Sequence, residues 1–304
     1  MGNGLCRDRV VIVTGAGRGI GRAHALAFAD AGARVVVNDV GAALDGARTG
    51  EGPAADVAAE IADRGGTAWA STHDVSDFEA AKALVDDTVS RFGRLDVLVN
   101  NAGVVRDRML VNLDADEWDA VMRVHLRGHF ATVRHAGAHW RAEAKAGRTP
   151  DARVINTSSG AGLLGSVGQA NYSAAKAGIA GLTVVAAAEL GRYGVTVNAI
   201  APSARTRMTE DVFADMMARP DGGFDAMAPE NVSPLVVWLG SAESADVTGR
   251  VFEVEGGKVS VAQSWRHGPE IDKGARWDPA ELGPVVADLL AKAPAPEPVY
   301  GVSR

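Results

Sequence analysis

Tyr172 and Lys176, four residues apart, with Ser159 thirteen residues before the tyrosine in INTSSGAGLLGSVGQANYSAAKAG, are residue types that together can move a proton at an alcohol or a ketone. Residues at that spacing share a helix face, so the ammonium can sit beside the phenol. A phenol loses its proton near pH ~10, and lowering that by about three units requires roughly 4 kcal/mol of added stabilisation of the phenolate. A cation held close supplies part of it. Ser159 can hydrogen-bond the same substrate oxygen and fix its orientation. The spacing alone fits a surface pair as well, so the chemistry depends on the elements that place these residues.

Those elements alternate along the chain. Apolar, β-branched runs (RVVIVTG, ARVVVND, TAWASTHDV, RLDVLVNNAG, ARVINTSS, GVTVNAIAP, RVFEVEG) are separated by helical patterns. Continuous Val/Ile runs imply strands covered on both faces. The expected fold is α/β, a Rossmann-type doubly wound parallel sheet of about seven strands with helices on both faces. One domain is expected over residues 1–257, followed by a C-terminal extension, 258–304, with one helical stretch, DPAELGPVVADLLAKA. That extension has room to pack over the active site or a partner subunit. Gly41 to Pro53 reads as a long Gly-rich loop near the ligand crevice.

Composition narrows the function classes. Lys plus Arg total 31 against 38 Asp plus Glu, a net charge of −7, and no dense basic stripe points to nucleic acid. The single cysteine, Cys6, excludes an intrachain disulfide framework and a cysteine-rich metal site, and reads as inert. No metal is expected. No apolar stretch is read as long enough to span a membrane, and MGNGLCRDRV lacks a hydrophobic signal core. A cytoplasmic protein with no membrane partner is therefore expected.

TGAGRGIG, Thr14 to Gly21, directly follows the first strand and opens the first helix. Glycines there permit a tight turn and close backbone approach to a pyrophosphate, whose charge is stabilised at the helix N-terminus. The second strand ends in Asn38-Asp39. A carboxylate at that point accepts both adenosine ribose hydroxyls and repels a 2′-phosphate, which favours NAD over NADP. Arg18 argues the other way, since a basic residue in this loop can pair with a 2′-phosphate; its bland role is an exposed cation at the helix start.

TGAGRGIG, HDV at His73 to Val75, NNAG at Asn100 to Gly103 and SS…YSAAK, in that order, resemble the short-chain dehydrogenase/reductase family from Arg9 to about Gly257. The resemblance implies that Gly15, Gly17, Arg18, Gly19, Ile20, Gly21, Asn101, Ala102 and Gly103 line a nicotinamide cofactor. Asp74 would contact adenine with Val75 beside it, and Pro202 and Thr206 would border the nicotinamide. It further implies Tyr172 as general acid/base, Lys176 as the group that holds the nicotinamide ribose and lowers the tyrosine pKa, and Ser159, rather than a structural Ser158, as the polariser of the substrate oxygen. Many members carry an Asn that anchors a relay water where RVHLRG presents His125, and an imidazole can also donate and accept. The other helix and surface histidines, His24, His73, His129, His135 and His139, are read as structural. At Ala201 to Met208 the family's usual P-G is absent, which leaves the role of Thr206 open.

VVVNDVG, NNAGVVRDRM, VHLRGHF, GQANYSAAKAG and APSARTRMT are similar, within that family, to the (3R)-hydroxyacyl-CoA dehydrogenase units of peroxisomal multifunctional enzymes, a branch that also handles 17β-hydroxysteroids. The implied substrate is an acyl-CoA or a steroid. Residues 209–229 lie where the family places a substrate lid. There Met208, Phe213, Met216, Met217, Phe224 and Met227 either meet a bulky apolar ligand or pack on the core. Arg205, Arg207, Lys258, Arg266 and Lys273 either meet coenzyme A phosphates or are solvated surface. The Tyr172 helix is apolar around much of its circumference, and the family covers it with a second subunit, so a homodimer or homotetramer is expected. Competing expectations are an NADPH-dependent 3-oxoacyl carrier-protein reductase and a non-catalytic nucleotide sensor or scaffold.

Overall fold

The structure, a computed structural model, describes residues 4–41, 52–206, 217–263 and 265–299. Strands β1 (Val10–Thr14), β2 (Arg34–Asn38), β3 (Thr67–Ser71), β4 (Val97–Asn100), β5 (Ala152–Thr157), β6 (Val195–Ser203), β7 (Val251–Glu255) and β8 (Lys258–Val261) form one sheet. Their order is β3-β2-β1-β4-β5-β6-β7-β8. The first seven run parallel, and β8 pairs antiparallel with β7 through Phe252–Val261 and Glu255–Lys258. The sheet thus gains an eighth strand from residues expected to lie in the extension. By internal contacts the chain divides into Met1–Ala262 and Gln263–Arg304. In the latter, Asp278 and Glu281 form a capping box before the helix Leu282–Lys292.

Alternation along each strand explains the two-sided cover. Val11, Val13, Val35, Val37, Val97 and Val99 enter one core with α1 (Gly19–Asp30) and α2 (Pro53–Asp63), together with the helix Ser233–Leu239. Ile12, Val36 and Leu98 enter the other, against α3 (Phe78–Phe92), α5 (Gly128–Lys145) and α7 (Ala170–Leu190). A strand with apolar side chains on both faces must be sandwiched, as every residue of β1 and β4 is. Asp77 caps α3 by accepting from the Ala80 N–H at 2.8 Å, a contact typically worth about 1 kcal/mol. A capping box of Asp114 and Glu117 starts α4 (Ala115–Met122).

The α7 segment, carried on to Tyr193, is long and apolar enough to cross a membrane by length and composition, with mean hydropathy 1.3. This corrects the expectation that no stretch reaches that length. Here the helix packs on β5 and β6, and Lys176 within it is buried.

Strand order reverses between β1 and β4, so the crevice for a ligand opens at their carboxyl ends. The loops after β1, β3, β4 and β5, the residues after β2 as far as Gly41, and the end of β6 all start from that edge.

Candidate active site

The β1–α1 turn is held by backbone geometry. Gly15 has φ 61°, and a Cβ on it would stand 2.7 Å from Ala102 Cα. No other residue fits that turn without moving the β4 loop. Asn101 closes the contact, donating through Nδ2 to the Thr14 and Gly15 carbonyls at 3.0 and 3.1 Å. The Thr14 hydroxyl accepts from the Asn101 and Ala102 N–H groups at 3.0 and 3.1 Å. Asp39, at the end of β2, accepts from the Gly17 N–H at 2.9 Å and from the Gly41 N–H at 2.8 Å. Asp74 turns one oxygen onto Ser76, accepting from its N–H and its hydroxyl.

The glycine turn and the ends of β2, β3 and β4 border a cavity of about 580 Å³. Gly15, Arg18, Gly19, Ile20, Gly21, Asp39, Asp74, Val75, Asn101, Ala102 and Gly103 line one part of it, and His125, Tyr172, Lys176, Pro202 and Thr206 another. Of the expected residues, Gly17 and Ser159 do not line it. Gly17 is turned onto Asp39, and Ser159 is the N-cap of α6 (Gly160–Leu164), its Oγ accepting from the Ala161 N–H at 3.2 Å. That contact leaves the Ser159 hydroxyl hydrogen to be donated elsewhere. Ser158 lines the cavity, and its hydroxyl donates to the Lys176 carbonyl at 2.9 Å.

At the far end, Lys176 Nζ lies 5.4 Å from the centroid of the Tyr172 ring, and the His125 ring meets Tyr172 edge-on at 5.3 Å. Lys176 donates to the Thr157 carbonyl at 2.7 Å. Burial pushes its ammonium down to about 7, which poises it to exchange a proton near neutrality. Asn171 is buried; it accepts from the Tyr172 N–H at 2.7 Å and donates to the Arg106 carbonyl at 3.0 Å, tying the start of α7 to the loop after β4.

His125 sits in a π-helical segment, Arg123–Arg127, between α4 and α5. Such bulges often mark functional positions in helices. Its Nε2 lies 2.7 Å from the Val104 carbonyl and 3.0 Å from the Val104 N–H, while Nδ1 is buried without a partner. A Cβ on Gly103 would overlap this ring, so the glycine of NNAG makes room for the imidazole. Burial and the Lys176 charge hold His125 well below the usual histidine range.

Several expectations change. His24 and His129 lie on helix faces, as read, but not at the surface: both are fully buried, and burial pushes each down to about 3. A helix covering a two-sided sheet has an inner face, and both point there. Arg205 is neither a phosphate ligand nor solvated surface; it is buried, donates to the Met217 carbonyl at 2.8 Å and pairs with Asp225. Lys258 and Arg266 are exposed, and Lys273 pairs with Glu281. Met217 is buried and Phe224 is exposed. Arg207, Met208, Phe213 and Met216, with most of the Gly41 to Pro53 loop and the first half of the 209–229 segment, lie outside the described residues.

Sequence reasoning missed a buried polar chain behind the site. Thr132 donates to Asn100 Oδ1 at 2.7 Å, Asn100 to Asn156 Oδ1 at 3.0 Å, and Asn156 to the Thr183 hydroxyl at 2.9 Å, joining α5, β4, β5 and α7. Polar residues inside apolar strand runs were the available signal, because a buried amide requires partners.

A glycine turn with no room for side chains, beside a carboxylate fixed at the end of β2 and a Tyr/Lys pair, fits a dinucleotide. Residues 9–217 match the family described as short chain dehydrogenase. The chain belongs to that family and is an oxidoreductase using a nicotinamide cofactor. It is 47% identical over 93% of its length to Hydroxyacyl-CoA dehydrogenase ChsB1 of Mycobacterium tuberculosis, covering 89% of that protein. It is 45% identical over 83% of its length to Peroxisomal multifunctional enzyme type 2 of Mus musculus, of which it spans 32%. The crystal structure of a short chain dehydrogenase from Mycobacterium avium superposes with a TM-score of 0.89 at 66% identity, covering 98% of this chain and all of that one.

Proposed function

We propose that this chain is an NAD-dependent 3-hydroxyacyl-CoA dehydrogenase, interconverting a secondary alcohol and a ketone on a coenzyme A thioester. The observation that carries the substrate class is the 47% identity to Hydroxyacyl-CoA dehydrogenase ChsB1 over 93% of the chain. The preference for NAD rests on Asp39, whose carboxylate is fixed by the Gly17 and Gly41 amides at the cavity edge, where it would repel a 2′-phosphate. The glycine loop, Asp39 and Asp74 would hold the adenosine half, and Pro202 and Thr206 would border the nicotinamide. When bound, the nicotinamide supplies the hydride acceptor or donor.

The protein's own residues handle the proton. In the oxidative direction the Tyr172 phenolate oxygen takes the hydroxyl proton of the substrate as the carbinol hydrogen departs as hydride, leaving a ketone. Ser159, next to the cavity-lining Ser158 and with its hydroxyl hydrogen left over from the N-cap contact, would turn that hydrogen to the same substrate oxygen. Lys176 stabilises the phenolate, and His125 serves in the relay that returns the proton to solvent. Val184, Val185 and Phe130 are about half exposed, at 48%, 55% and 46%, and this apolar surface supports self-association as a dimer or tetramer. A cytoplasmic setting completes the reading.

The test is NADH formation by the purified protein across 3-hydroxyacyl-CoA, hydroxysteroid and acyl-carrier-protein substrates. Turnover is expected with the CoA thioesters and NAD, and Tyr172→Phe should lower kcat by about 10³-fold, within the range for general acid/base groups. Activity confined to carrier-protein substrates with NADPH would replace this reading with a reductase. NAD binding without turnover of any substrate would replace it with a nucleotide sensor.

A further inference from the structure

His129 lies one helical turn beyond His125 and does not line the cavity around Tyr172, yet it connects the groups around Lys176. Its Nδ1 is 2.7 Å from the His125 carbonyl, which can only accept, so Nδ1 carries the ring hydrogen. Its Nε2, the remaining acceptor, receives the Thr157 N–H at 3.3 Å. The carbonyl of the same Thr157 holds Lys176 Nζ at 2.7 Å. The imidazole therefore cross-links the π-helical turn carrying His125 to the strand residue carrying the lysine. It is 2% exposed, so both nitrogens are spent on protein partners and none on solvent.

We propose that His129 is a positioning residue, a neutral cross-brace that fixes the Thr157 carbonyl and so places the Lys176 ammonium beside Tyr172. The Thr157 N–H and C=O belong to the two peptide units that meet at its Cα: His129 anchors the first, and the Ser158 N–H, donating to the Ile200 carbonyl at 2.7 Å, anchors the second, so the Thr157 dihedrals, and with them the place of the carbonyl that holds the lysine, are fixed from both sides. Burial, and after it the charge of Lys176, disfavours protonation of His129 and outweighs the His125 and Asn100 backbone carbonyls that favour it, which keeps Nε2 an acceptor. A side chain with one donor and one acceptor is required; a ring of equal bulk without them fills the space and loses the brace.

The inference rests on Lys176 acting in the proposed proton transfer, but its first two readouts are made on the protein without cofactor or substrate. Long-range proton–nitrogen NMR of histidine-labelled protein is expected to show His129 as the Nδ1–H tautomer, with no titration between pH 8 and 5. An Nε2–H tautomer, or a midpoint near the ordinary ~6.5, would overturn the proposal. In lysine-labelled protein, with Lys176 identified through Lys176→Met, His129→Phe is expected to move the Lys176 titration by about half a pH unit or more, and His129→Gln, whose amide can both donate and accept, to restore it. An unmoved titration in His129→Phe, or Gln performing no better than Phe, would refute it. Should His129→Phe fail to fold, His129→Leu compared with His129→Gln carries the same test.

On turnover, His129→Phe should reduce kcat about tenfold with substrate KM within about threefold, the signature of an interaction felt in the transition state rather than in binding. If wild type turns over none of the substrates, the proposed function falls while the tautomer and lysine titration still decide this inference.

Discussion

The two walls of the cleft are held in different ways. On the wall made by the ends of β1, β2 and β4, backbone and side chain interlock over short distances: Asn101 on the Thr14 and Gly15 carbonyls, Thr14 on the β4 loop, Asp39 on the glycine turn. Beyond the end of β6, where Pro202, Ala204 and Thr206 line the cavity, the buried side chain of Arg205 anchors the described residues 217–227. Arg205 reaches the Met217 carbonyl and Asp225, its own N–H donates to the Met227 carbonyl at 2.7 Å, and residues 218–224 between these anchors are exposed. Many mutually dependent contacts make a surface that resists deformation, whereas a few anchors leave a segment able to adapt to different ligands. The first arrangement suits a constant partner, the dinucleotide, and the second a variable one.

Acid should discriminate most strongly between the walls. His24, His125 and His129 are fully buried and held neutral by burial, and all three belong to the elements of the dinucleotide wall and the catalytic end; residues 203–232 contain no histidine. Above the ordinary pKa of ~6.5 both folded and unfolded chains carry these groups neutral, so nothing is lost. Below it the unfolded chain takes up protons that the folded one cannot, and stability falls until the folded values, about 3 for His24 and His129, are reached. Three such groups together cost about 4 kcal/mol per pH unit at full slope. Denaturant titrations at pH 7 and pH 5.5 should show that loss, and equal stability at the two values would mean that the histidines are solvated.

Gly15→Ala comes next. Forcing a side chain to φ 61° against Ala102 should cost roughly 3 kcal/mol, read as about 100-fold weaker binding in an NADH fluorescence titration. Unchanged affinity would show that the tight wall deforms as readily as the other one. Arg205→Met should instead raise substrate KM about tenfold, by loosening 217–227 and leaving Asp225 unpaired, with the cofactor dissociation constant within about twofold. Equal losses for both ligands would end the distinction between the walls. An effect of similar size is expected of Asp39→Ala, which should shift the ratio of kcat/KM for NAD over NADP by about tenfold toward NADP. A constant ratio would leave the carboxylate with only the Gly17 and Gly41 turn to hold.

Legibility in the sequence follows the same division. The parallel sheet and the glycine turn could be read directly, because each depends on signals within a few residues: unbroken Val/Ile runs, and glycines between a strand and a helix. The NNAG glycine was legible as a motif, but its reason was not, since the space it leaves is filled by His125 from another element. Arg205 illustrates the opposite failure: its residue type suggested a phosphate ligand or a solvated cation, and the tertiary fold buried it against Asp225. The strand Lys258–Val261 was missed because an antiparallel edge strand of four residues, all exposed, has none of the buried apolar character of the others.

The sequence by itself determined the class of fold, the edge of the sheet at which the ligand crevice opens, and the Tyr172/Lys176 pair, because helix and strand periods and glycine conformations are local properties of the chain. Only the tertiary structure decided which polar groups lose water and what replaces it. The Nδ1 of His24 meets the hydroxyl of Ser233 across 209 residues of sequence, and His129 meets Thr157 across 28. Burial is a property of what the rest of the chain packs against a residue, and no local pattern records it.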